Sequence, residues 1–111
     1  MFRGWVYITS SSFPSKYIGT WKRDKFNNTL TFTTDTIKTS NQSYAWNLTD
    51  VSPGPNGSKE YTISPTTDIT YWITDTVQNN KITIQTVGSS LIINGDRGRG
   101  EDNWNGTWKK Q

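Results

Sequence analysis

The chain of 111 residues holds neither His nor Cys. The usual general base at neutral pH, the thiolate nucleophile and the commonest zinc and iron ligands are therefore missing from its chemistry. The acids Asp35, Asp50, Glu60, Asp68 and Asp75 mostly fall at expected strand ends and turns. No pair of them is set across a cleft at the separation glycoside hydrolysis needs, and no spacing gives a Ser or Thr nucleophile a Lys as its base. In "NGDRGRGEDN", residues 94–103, Asp96, Glu101 and Asp102 supply carboxylate oxygens, but Arg97 and Arg99 stand among them. Their spacing matches no calcium loop, and the stretch reads as a solvated, self-neutralised loop. The expectation is a chain that does not act as an enzyme, with no catalytic residue, no metal site and no cofactor.

Binding is the remaining chemistry, and the aromatic residues carry it. Tyr44, Trp46, Tyr61 and Tyr71 offer flat apolar faces with a hydroxyl or indole N–H at one end, the equipment for orienting a small apolar or amphipathic ligand inside a cavity. Six Trp and five Tyr would equally fill a narrow interior by close packing. Trp72 lies opposite in parity to Ile69, Tyr71 and Ile73, so it is expected outside, where it and the loops offer a protein partner a surface. The net charge of +3 is unevenly placed: Arg3, Lys16, Lys22, Arg23 and Lys25 crowd the first 25 residues against Asp24 alone. The cluster Lys22, Arg23 and Lys25 favours a ligand with an anionic end. It is too small for a stripe that tracks phosphates, so no nucleic-acid partner is expected.

Those residues need a scaffold, and composition names its class. Ten Ile, four Val and eighteen Thr stand against one Ala, three Leu and one Met; the stiff β-branched types dominate and no helical periodicity competes. An all-β chain follows, with strands near 17–23, 29–34, 36–40, 43–51, 59–64, 68–78, 81–87, 90–95 and 104–110. Asn79-Asn80 and Gly88-Ser89 suit tight hairpin turns. The parity change from Leu30 and Phe32 to Ile37 marks a bulge or short turn. "SPGPNGSK", residues 52–59, is a Pro/Gly loop, and residues 1–16 read as a loose N-terminal segment before a domain spanning 17–111. Nothing has the length and apolarity of a membrane-spanning helix or an export signal.

Strands joined by hairpins form a meander, whose two edges must be covered or abolished. The tetrapeptide Gly19-Thr20-Trp21-Lys22 recurs as Gly106-Thr107-Trp108-Lys109. Paired antiparallel with Trp21 facing Gly106 and Trp108 facing Gly19, each ring meets a residue without a side chain. Gly19, Trp21, Gly106 and Trp108 are thus the expected seam of a closed barrel. Closure between antiparallel end strands needs an even strand count; eight is expected, with 29–34 and 36–40 taken as one bent strand.

The run "YIGTWKRDKFNNTLTF", with a Gly-x-Trp on the first strand of such a barrel, resembles the calycin superfamily of lipocalins, fatty-acid-binding proteins and avidins. Over about 95 residues the chain is more similar to small bacterial lipocalin-like domains, often secreted lipoproteins, than to those families. The resemblance implies a monomeric extracytoplasmic barrel, in the periplasm or on the cell surface, that binds a small apolar or anionic amphipathic ligand. The alternative is a non-enzymatic interaction module with a filled barrel. The Thr-Asp-Tyr loop motif of longer lipocalins is missing: Asp75 sits in Thr74-Asp75-Thr76.

Overall fold

Alternating apolar and polar side chains shape the sheet. In a computed structural model, which describes residues 11–66, 80–95 and 104–111, the chain is all-β. The strands are β1 (Gly19–Lys22), β2 (Thr29–Phe32), β3 (Thr36–Thr39), β4 (Ala45–Pro53), β5 (Lys59–Pro65), β6 (Asn80–Val87), β7 (Ser90–Asn94) and β8 (Gly106–Lys110). Each pairs antiparallel with the next, and β8 pairs with β1 to close the barrel. Two short 3-10 turns, Ser15–Tyr17 and Pro55–Gly57, complete the elements among the described residues.

Every second residue faces inward, as the strand period of two demands. Leu30, Phe32, Ile37, Trp46, Ile63, Ile82, Ile84, Leu91 and Ile93 are all buried. On β4 the register shifts between Leu48 and Asp50, so Leu48 opposes Ile63 while Val51 opposes Tyr61. This bulge lets residues three apart both face the core, which unbroken alternation forbids. Gly88, with φ of +60°, takes the first central position of the two-residue turn that sets Val87 opposite Ser90. That is where a type II′ hairpin requires glycine. Asn80 opens β6 opposite Ile63, and Asn79 lies outside the described residues.

Eight strands are present among the described residues, but not by the expected route. Segments 29–34 and 36–40 are two strands: Phe32 opposes Ile37 in a hairpin, and Thr33 N–H donates to the Thr36 carbonyl at 2.9 Å across the turn. The parity change between them is the reversal of chain direction. The expected strand 68–78 and outward Trp72 lie outside the described residues, and β5 pairs directly with β6.

The seam also departs from expectation in one respect. β1 and β8 run antiparallel with Trp21 and Trp108 both buried, but Trp21 opposes Lys110 and Lys22 opposes Lys109. The register lies four residues from the one that set rings against glycines. An even shift leaves every side chain on its face, so the inward direction of both rings survives while the partners change.

Candidate ligand-binding site

The barrel has an upper end, where β1 begins, and a lower end, where it leaves. Meander topology puts the turn at 33–35, the loop at 54–58, the Gly88-Ser89 turn and the end of β8 at the upper end. Residues 23–28 and the approach to β8 lie at the lower end.

The two copies of the repeat clamp opposite ends in the same way. Trp21 donates its indole N–H to the Tyr17 carbonyl at 2.9 Å, and Trp108 donates to the Trp104 carbonyl at 2.8 Å, each four residues upstream. Lys110 Nζ stands 5.1 Å from the Trp21 ring centroid and donates to the Ile18 carbonyl at 2.8 Å. Arg23 stands 4.4 Å from the Trp108 centroid and donates to the Asn105 carbonyl at 3.0 Å. Gly19 and Gly106, with φ of +131° and +136°, adopt backbone that side chains avoid. At Gly19 the bare Cα also gives the cation passage, since a Cβ there would lie 2.6 Å from Lys110 Cε, whereas at Gly106 a Cβ would stand 3.4 Å from Arg23 Cδ, an ordinary contact. The repeat therefore extends over seven residues, aromatic-x-Gly-Thr-Trp-Lys-cation, as Tyr17 to Arg23 and Trp104 to Lys110. Gly19 makes room for a cation rather than a ring.

At the upper end these parts border an open cleft of about 320 Å³ lined by Lys16, Trp21, Thr86, Gly88, Ser89, Ser90 and Lys110. Lys16 Nζ donates to Thr86 Oγ1 at 3.4 Å, so one ammonium reaches from the 3-10 turn to β6 while Lys110 arrives from β8. Hydroxyls and ammoniums border the space, and among the described residues no carboxylate lines it. Such a wall favours an anion, with Trp21 as its apolar part.

The expected ligand-binding residues divide. Trp46 is buried, its ring centroid 6.1 Å from that of Trp104 and 5.8 Å from that of half-buried Tyr44. Tyr61 packs instead with Phe13 and Tyr17 at 5.2 and 6.1 Å, and Tyr71 lies outside the described residues. Among the described residues Trp46 and Tyr61 belong to one buried core but contact different rings within it. Phe13, expected in the loose N-terminal segment, is 4% exposed and lies in the core. The expected cluster Lys22, Arg23 and Lys25 lies at the lower end, away from the cleft. Arg23 is 6% exposed, Lys22 bonds the carbonyls of Arg23 and Phe26, and Lys25 is exposed.

Lys16 and the Gly88-Ser89-Ser90 turn are the parts sequence reasoning missed. Their meeting depends on closure bringing residues 70 apart together, which no local pattern encodes. Asp96, Glu101 and Asp102 lie outside the described residues, and among the described residues no group of acids is arranged to hold a metal ion. Among them too, no helix is long and apolar enough to cross a membrane. Comparison with protein-family models, curated proteins and solved structures finds no match for the chain.

Proposed function

We propose that this protein is a non-enzymatic binding barrel that holds a small anionic, amphipathic ligand in its upper cleft. The observation that carries this reading is the cleft wall itself: two ammoniums, three hydroxyl-bearing residues and Trp21, with no carboxylate among these described residues. About 320 Å³ is the small end of the range for ligand pockets, which suits a short-chain carboxylate or a compact phosphate ester. The ligand sits at the rim rather than in the lumen, because Trp46 and Tyr61 are packed against other rings. The Gly-x-Trp on the first strand of a closed eight-strand meander supports a lipocalin-like ancestry, and with it a place of work outside the cytoplasm.

Isothermal titration with hexanoate and with inorganic phosphate tests the reading. Binding at micromolar levels that weakens as salt rises, quenches indole fluorescence and is reduced severalfold in Lys16→Gln supports it. Absence of heat with both anions, or binding indifferent to salt and to Lys16→Gln, overturns it.

A further inference from the structure

Beside the cleft, the upper end contains a second arrangement that anion binding does not use. The Phe13 ring is caged by Phe32, edge-on at 5.1 Å, by Tyr61 at 5.2 Å and by Tyr17 at 6.5 Å. The cage walls also touch one another, with Tyr17 6.0 Å from Phe32 and 6.1 Å from Tyr61. The caged ring belongs to no strand. Residues 11–14 precede the 3-10 turn without regular structure, and Phe13 is tied to the sheet by its N–H, which donates to the Thr34 carbonyl at 2.8 Å in a turn.

One wall carries an unmet polar group. The Tyr61 hydroxyl is buried with no hydrogen-bond partner among the described residues. After burial itself, the Tyr17 phenol beside it raises its pKa through a hydrogen-bonding contact, yet the two side chains fall short of full hydrogen-bond geometry. A buried hydroxyl without a partner is rare, and in a native structure it calls for an explanation. Phe13 fills the cage by shape and leaves that hydroxyl unsatisfied. A ring of the same size bearing one hydroxyl fills the same space and can satisfy it.

We propose that the cage of Tyr17, Phe32 and Tyr61 is a binding site for a small phenolic ring, occupied by Phe13 in the free chain and vacated when such a ligand enters. Exchange costs the Phe13 to Thr34 bond but no bond between strands, so the barrel stays closed while the ring on the irregular segment swings out. The bound phenol takes the edge-to-face contacts that Phe13 gives up, and its hydroxyl pairs with that of Tyr61. A neutral phenol offers Lys16 and Lys110 no charge, so the site is independent of the anion cleft.

The test compares phenol with toluene, which has a similar ring and no hydroxyl, by calorimetry on the full chain. In Phe13→Ala, phenol binds about tenfold more tightly than toluene, the worth of one buried hydrogen bond. In Phe13→Ala/Tyr61→Phe that preference disappears. In the unmodified protein phenol binds more weakly than in Phe13→Ala, and saturation speeds hydrogen exchange at the Phe13 amide as its bond to Thr34 opens. Equal affinities for phenol and toluene in Phe13→Ala, or a Phe13 amide equally protected with and without phenol, overturn the proposal. If Phe13→Ala does not fold, Phe13→Leu enters the same comparison, with the same ranking expected and the same equality contradicting it.

Discussion

The Arg23 guanidinium lies 4.4 Å from the Trp108 ring centroid and the same distance from the Phe26 ring, a cation held between two aromatic faces inside the barrel's lower end. It also bonds the Asn105 carbonyl at 3.0 Å and Asn28 Oδ1 at 3.4 Å, and Asn28 passes the chain on to Thr39. Lys110 over Trp21 is its counterpart at the exposed upper end. A desolvated cation–π contact is worth about 2 kcal/mol or more and an exposed one about 0.5–1 kcal/mol. The two clamps should therefore contribute unequally.

Arg23→Ala is expected to cost about 2–4 kcal/mol in urea melts, because the cation–π contact and the buried hydrogen bonds are lost together. Arg23→Lys recovers only part of this, since an ammonium lacks the planar fork that stacks and bonds at once. A midpoint unchanged in Arg23→Ala contradicts the clamp.

Gly19→Ala and Gly106→Ala each place a Cβ on positive-φ backbone, at a strain of about 1–3 kcal/mol. At Gly19 the new atom also meets Lys110 Cε. A double-mutant cycle with Lys110→Ala should recover the steric part and leave the strain. Strict additivity of the two changes would mean that Lys110 does not cross Gly19 in solution.

Lys22 and Lys109 stand opposite one another across the seam, and like charges directly opposed destabilise a strand pair. Lys109→Glu should therefore raise stability by about 0.2–1 kcal/mol at low ionic strength, with the gain shrinking in 1 M salt. A loss of stability at low salt contradicts the register.

Burial first, and the Tyr17 phenol second, hold the Tyr61 phenol above its ordinary pKa of 10.0. The unfolded chain then releases this proton before the folded one does. The associated stability is complete below pH 10 and falls as pH rises beyond it. Tyr61→Phe should lessen the decline in urea midpoint above pH 10. At pH 7 it should be as stable as the parent, or more stable by up to about 1 kcal/mol, because an unpaired hydroxyl is gone. A loss at pH 7 as large as that of a core truncation refutes the unpaired state.

Much of the scaffold was legible because it is local. The inward direction of Trp46 and Tyr61 follows from period-two alternation, and Gly88-Ser89 from turn chemistry. The closing pair of strands was legible from the repeat alone. Its register was not, because bulk complementarity favoured ring against glycine whereas the barrel sets cation against ring. Phe13 escaped notice because an irregular segment has no period to betray its one buried side chain. The cleft escaped because Lys16, Ser89 and Lys110 meet only after closure.

An amide and indole NMR titration of the full chain with hexanoate tests the central claim, that ligand binds at the upper rim of a filled barrel. Shifts concentrated at Gly88, Ser89, Ser90, Lys110 and the Trp21 indole N–H, with Trp46 and Trp108 indoles unmoved, are the predicted result. Shifts centred on the Trp46 and Trp108 indoles, or none at all, would contradict it.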